Sequence, residues 1–197
     1  MSGTLFVFSA ASGAGKTTLM NKVMPNFTNV VYSVSATTRS PRLGETDGVH
    51  YFFKTEEEFK KMIEQNELIE WNNVHNNYYG TPKFFVEQKL SEGRDVAFDL
   101  DVFGKVNFDK AYPQAVGILI LPPSMEELEK RLRDRGTETE ESVKLRMENA
   151  KKETEFATTH GKYQYTIYNG DLETAAAELK GIMEKYSSFK SSIQSGS

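Results

Sequence analysis

A continuous apolar run, Leu5-Phe6-Val7-Phe8, is followed at once by Ser9-Ala10-Ala11-Ser12-Gly13-Ala14-Gly15-Lys16-Thr17-Thr18. No other feature constrains the chain as much. Four successive apolar residues read as a strand covered on both faces, as in a parallel sheet. Helical spacing begins at Lys16, with Leu19, Met20 and Val23 on one side and Pro25 just past the end. A strand, a Gly-rich turn and a helix start, in that order, place successive backbone N–H groups around an anion. The segment matches the phosphate-loop pattern G-x-x-x-x-G-K-[ST] at Gly15, Lys16 and Thr17, with Ala10 where the first glycine belongs. Ala10 fits there only at negative φ. Gly13 and Gly15 let the chain curl and let phosphate approach the backbone. Lys16 supplies a point charge to the β- and γ-phosphates, and the Thr17 hydroxyl is a candidate ligand for Mg²⁺. Ser12, Gly13, Ala14, Gly15, Lys16, Thr17 and Thr18 are therefore the expected ATP-binding residues.

Strand-like and helix-like segments alternate along most of the remaining chain. Strands are expected at 30–35, 49–53, 68–74, 96–101, 116–121 and 163–168. A capping box at Thr55-Glu56-Glu57-Glu58 opens a helix, and Thr81-Pro82 opens another that closes at Gly93. Ser124 caps a helix ending at Gly136, Thr137 to Glu140 caps one reaching about Phe156, and a last helix covers 171–186. This rhythm predicts an α/β fold, a parallel sheet flanked by helices. The block 35–86 breaks the rhythm and reads as an inserted lobe. The charged helix pair 125–156 reads as a mobile lid hinged at Gly136. The core would then comprise about 1–34, 87–124 and 157–187, all within one domain, with a Ser-rich tail at 188–197.

Composition removes several classes of function. The 197 residues hold no cysteine, which excludes disulfides, thiolate zinc sites and cysteine nucleophiles. His50, His75 and His160 lack metal-ligand spacing. The net charge of −4 disfavours a protein that grips nucleic acid. No apolar run approaches the roughly 20 residues that span a bilayer. The first residues show no signal-peptide layout, so a cytoplasmic setting is expected.

The seven arginines are clustered, whereas the lysines are spread out. Arg39 and Arg42 lie in a Gly/Pro/Thr-rich loop of the inserted block. Arg131, Arg133, Arg135 and Arg146 lie in the charged helix pair, and only Arg94 stands elsewhere. Arginine is the side chain for bidentate phosphate recognition. The alternative for the helical ones is a solvated face with i,i+4 pairs, such as Glu127 with Arg131.

With these residues on the page, the chain resembles guanylate kinase. The matching segments are SVSATTRSPRLGETDGVHYFF (33–53), ELIEWNNVHNNYYGT (67–81), FDLD (98–101), EKRLRDRGTETEESVKLRMENA (129–150) and TIYNGDLETA (166–175). With the phosphate loop they are spread over nearly the whole chain. The resemblance implies ATP and GMP as substrates, Mg²⁺ as cofactor, ADP and GDP as products, a GMP-binding lobe and a lid. It implies that Arg39, Arg42, Tyr51 and Tyr79 hold the GMP phosphate and that Ser35, Glu70, Thr81 and Asp101 read the guanine. It further implies that Lys16, Arg135 and Arg146, with Arg42, surround the reacting phosphates, and that Asn169 lies near the adenine. The sequence departs from the family pattern at Ala10, Asn76, Phe103 and Gly170.

The chemistry fits these residue types. Phosphoryl transfer needs alignment and positive charge more than covalent help, and the attacking phosphate oxygen is already an anion. Closure would exclude water, with Gly44, Gly48, Gly80 and Gly136 as candidate pivots. Guanine presents N1–H and N2–H₂ donors side by side, which one carboxylate, Glu70, can accept together, while Ser35 and Thr81 hydroxyls can donate to O6. Asp99 and Asp101, one residue apart, are expected on one face at the end of a strand, Asp99 toward Mg²⁺ and Asp101 toward the nucleoside. Two other readings are open to a chain of this kind. One is a non-catalytic scaffold of this fold, which an intact Gly15-Lys16-Thr17 disfavours. The other is a kinase of a different phosphorylated acceptor, such as a ribose bisphosphate, which Glu70 and Thr81 disfavour. No nucleic-acid, membrane or obligate protein partner is implied.

Overall fold

A computed structural model of the chain describes residues 3–74, 76–134 and 139–187. Five parallel strands form the central sheet: β1 (Leu5–Ala10), β2 (Val30–Tyr32), β7 (Asp95–Asp99), β8 (Val116–Leu121) and β9 (Tyr165–Tyr168), in the order β2-β7-β1-β8-β9. Side chains alternate across a strand, so an all-apolar strand must be covered twice. Phe6 and Phe8 pack with Leu19, Met20 and Val23 of α1 (Lys16–Val23) and with Leu179 and Met183 of α7 (Leu172–Tyr186). Leu5 and Val7 face the other way, toward Val86 of α3 (Lys83–Ser91) and Phe108 of α4 (Val102–Ala111).

The inserted block forms a second sheet of β3 (Ala36–Thr37), β4 (Phe52–Phe53), β5 (Leu68–Val74) and β6 (Asn77–Pro82), in the order β4-β3-β6-β5. Helix α2 (Glu56–Glu64) begins with the expected capping box, Thr55 and Glu58 each bonding the other's backbone N–H. Its buried Phe59 and Met62 join Ala36 and Leu68 in a small separate core.

Several expectations need correction. The strand expected at 30–35 shortens to β2, because the chain leaves the central sheet after Tyr32 and enters the second sheet at β3, just beyond the expected range. The strand expected at 49–53 shrinks to β4, preceded by a single bridge between Asp47 and Tyr51. The helix expected to start at Thr81-Pro82 forms as α3, but Pro82 is its extended N-cap and not its first helical residue, because Thr81 and Pro82 still belong to strand β6. The strand expected at 96–101 ends at Asp99, and helix α4 follows it unforeseen. The helices expected to form a lid are α5 (Met125–Asp134) and α6 (Glu140–His160). One side of the pair is anchored: Leu128, Leu132, Val143, Ala150 and Ala157 are buried with Ala11, Val102, Leu119 and Leu121. The expected pivot Gly136 and tail 188–197 lie outside the described residues.

Candidate active site

Ala10 is the last residue of β1 and is not among the described residues with positive φ, so its Cβ is no obstacle in place of the expected glycine. The turn itself needs glycine twice. Gly13 and Gly15 have φ of 84° and 88°. A Cβ on Gly13 would come within 2.8 Å of Leu128, and one on Gly15 within 2.5 Å of the Asn169 amide. Gly15 caps α1 without a side-chain partner. The N–H groups of the helix's first turn, which lack intrahelical acceptors, therefore face the cavity lined by Ala10 to Thr18 and Arg146.

Lys16 is ion-paired with Asp99 at the carboxyl end of β7. Asn169 donates its side-chain amide to the Ala14 carbonyl at 2.8 Å. It therefore buttresses the loop, and it lines a neighbouring groove with Gly13, Gly15, Thr18 and Arg131. Arg131 pairs with Glu127 and donates to the carbonyls of Asn169 and Gly170, while Arg133 pairs with Glu129 and Glu140. Both follow the ion-pair alternative. Arg135 lies outside the described residues.

Across the cleft, two adjoining pockets collect the lobe residues. Ser35, Tyr51, Glu70, Tyr79, Asp99 and Asp101 line one of them together with Gly104, and Ser35, Tyr51, Thr81 and Asp99 also line the other. Glu70 sits where the pairing of β5 with β6 shifts register between Leu68 and Trp71, a bulge that re-aims side chains. Gly80 faces that irregularity: a Cβ there would lie 2.9 Å from the Glu70 carbonyl, so Gly80 permits close strand approach. The buried Thr81 hydroxyl donates to Glu70 Oε1 at 2.6 Å, so it holds the carboxyl group. Burial raises the Glu70 pKa to about 7, the Thr81 hydroxyl opposes the rise, and the charge of Asp101 adds to it.

Asp101 is not a strand residue on Asp99's face. It is the N-cap of α4, with Oδ1 accepting from Phe103 N at 2.9 Å and Gly104 N at 2.6 Å. A Cβ on Gly104 would lie 3.4 Å from both Asp101 and Glu70, so this glycine keeps space beside the two carboxylates.

Arg39 makes a two-pronged pair with Glu45, at 2.9 and 2.8 Å, and its guanidinium lies 5.3 Å from the centre of the Tyr51 ring. The Tyr51 and Tyr79 rings meet edge to face at 6.2 Å. Glu45 also accepts the Arg42 backbone N–H at 2.6 Å. These bonds, the one from Arg39 foremost, lower its carboxyl pKa to about 2. Sequence reasoning missed Glu45, Gly104 and Glu153. Glu45 sits three residues beyond Arg42 and was within reach of a local pairing argument. Gly104 lay on an unforeseen helix, and Glu153 is 141 positions from its partner Ser12.

A phosphate loop at the carboxyl ends of a parallel sheet, beside a second pair of pockets lined by carboxylates, hydroxyls and tyrosines, defines a nucleotide phosphotransferase with a second, acceptor site; Arg39 and Arg42 line neither of these pockets. The family model for guanylate kinase matches residues 2–186. The guanylate kinase of Desulfitobacterium hafniense is 45% identical over 181 residues, covering 92% of this chain and 89% of that one. That of Thermotoga maritima is 45% identical over 183 residues, covering 93% and 87%. The crystal structure of guanylate kinase from Anaplasma phagocytophilum superposes with a TM-score of 0.69 at 29% identity, covering 96% of this chain and 89% of that one. The chain belongs to the guanylate kinase family and is an enzyme of ATP-dependent GMP phosphorylation.

Proposed function

We propose that Glu70 clasps the guanine N1–H and N2–H₂ groups and that the phosphate loop holds ATP on the opposite side of the cleft. The Glu70–Thr81 contact beside Asp101 carries this reading: a held carboxyl group in a half-buried pocket is built to meet paired donors. Adenine offers no such pair, and its entry would bury an unanswered acceptor, a mismatch worth about 10⁴ or more in selectivity. Ser35 remains a candidate donor to O6, and Asp101 stands at the base edge with one oxygen used in capping. Arg39, Arg42, Tyr51 and Tyr79 hold the GMP phosphate. In taking it, Arg39 exchanges the Glu45 carboxylate for a phosphate of the same charge sign.

On the donor side, Ser12 to Thr18 cradle the triphosphate. Lys16 leaves Asp99 for the β- and γ-phosphates, and Arg146, with Arg135, neutralises the equatorial oxygens. Asn169 keeps the loop in shape at the adenine side. For the metal, the donor set is hard oxygen: the exposed Thr17 hydroxyl and the half-exposed Asp99 carboxylate beside the loop. Among the described residues no cluster of three or more acidic or histidine ligands exists. That set suits Mg²⁺, which takes one or two protein oxygens and completes its shell with phosphates and water. Bound there, Mg²⁺ would supply charge neutralisation between donor phosphates. Residues 35–86 act as the GMP lobe and 125–156 as the lid. Among the described residues no helix is long and apolar enough to cross a membrane. The reaction belongs to purine nucleotide metabolism, in the cytoplasm where both nucleotides are held.

An ADP-release assay with GMP, dGMP, AMP, UMP and CMP tests the base assignment. Turnover confined to the guanine nucleotides is expected, and preference for any other base would overturn the role of Glu70.

A further inference from the structure

Ser12 is gripped from two sides by one helix. Its backbone N–H donates to a Glu153 carboxylate oxygen at 2.8 Å, and its hydroxyl accepts from Arg146 Nε at 3.4 Å. Arg146 and Glu153 are seven residues apart on α6, two turns, and so share a face. Ala150 between them is fully buried in the cluster that contains Ala11 of the loop, which keeps the helix close. Among the site residues assigned above, none is Glu153. Burial holds its carboxyl pKa above the ordinary range, against the pull of the Ser12 N–H and of Lys16. A carboxylate on the N–H of an anion nest carries the charge sign of the phosphates that the nest is shaped to receive.

We propose that Glu153 is a positioning residue for the donor nucleotide. Its carboxylate takes the Ser12 N–H that a phosphate would otherwise use, and the arriving triphosphate displaces it. Helix α6, which also carries Arg146, thereby registers whether the donor site is filled. The proposal rests on the reading of the phosphate loop as the ATP site. It implies that like-charge repulsion between Glu153 and the phosphates is subtracted from ATP affinity, in proportion to the phosphate charge brought in.

Glu153→Gln tests this, because the amide keeps the size and one acceptor oxygen but loses the charge. Adenosine, ADP and ATP are titrated calorimetrically, with Mg²⁺, into both proteins. ATP is expected to bind the variant about threefold to tenfold tighter, ADP by a smaller factor, and adenosine equally. A packing role alone would move all three alike or weaken ATP binding. Either result, or an unchanged ATP affinity, overturns the proposal. Should circular dichroism show that this variant does not fold, Glu153→Asp carries the test: the shorter carboxylate withdraws from Ser12, and ATP but not adenosine should again bind tighter. Equal affinities overturn it. Failure of the donor-site reading looks different: wild-type enzyme would bind no ATP, or Lys16→Ala would bind it unimpaired.

Discussion

The proposed donor loop and the proposed acceptor lobe would each hold an anion, but with different parts. The donor loop uses backbone N–H groups of consecutive residues, shaped by two left-handed glycines and backed by the main core through Ala14 and Leu19. The acceptor lobe uses side chains drawn from a loop, short strands and the start of α4, over a small core of its own. One cation on each side is paired with an internal carboxylate: Lys16 with Asp99, and Arg39 with Glu45. On the proposed assignment, each of these two pairs gives up its carboxylate for a substrate phosphate. The difference between the two sides lies in how tolerant each is of change. A backbone nest tolerates an added methyl group such as that of Ala10, which stands where the pattern has glycine, whereas a side-chain constellation loses specificity with one atom group.

Four expected outcomes would break or sharpen this contrast. The largest belongs to the donor side: Lys16→Ala should lower kcat by about a thousandfold or more while GMP binding persists, read by steady-state kinetics and GMP titration. Retained turnover would remove Lys16 from the transfer step. Next, Glu70→Gln should lower kcat/KM for GMP by about a hundredfold, because the amide accepts one guanine donor and opposes the other.

The third outcome is a pH dependence. Glu70 has its pKa raised to about 7 in the empty protein, while the guanine donors favour its ionised form. GMP affinity should therefore rise as pH increases from about 6 to 8, and the rise should flatten in Glu70→Gln. The same shift has the opposite sign for stability. Between the ordinary glutamate pKa of about 4.3 and the folded value the native state binds the extra proton, so the stability contributed by Glu70 falls as pH rises through that window. Chemical denaturation of the empty wild type and Glu70→Gln across pH 4–8 checks it. The smallest effect is in the lobe scaffold: Thr55→Ala removes the capping box of α2 and should cost about 1 kcal/mol of stability by denaturant melt, with kcat unchanged.

What could be read before folding follows the same division. The strand β1, the loop and α1 were legible because their signal is local: an apolar run, small residues, then helical spacing. The cap at Thr55, the last helix, α7, and strands β5 and β8 were legible for the same reason. Strand β6 was hidden because NYYGTP mixes polar residues with Gly80 and Pro82, turn formers in any local reading. Helix α4 was hidden because Gly104 and Lys105 interrupt its apolar face; Lys105 is fully buried, paired with Asp109. That miss propagated to Asp101, read as a strand partner of Asp99 when it is a helix cap. The Glu70–Thr81 contact depends on a β-bulge, which no side-chain periodicity announces.

The most direct test of the Glu70 assignment is proton release on GMP binding, measured by calorimetry at pH 6 in buffers of different ionisation enthalpy. Wild-type enzyme should release close to one more proton per GMP than Glu70→Gln, because the neutral carboxyl group must ionise to accept both guanine donors. Equal proton counts in the two proteins would contradict the account.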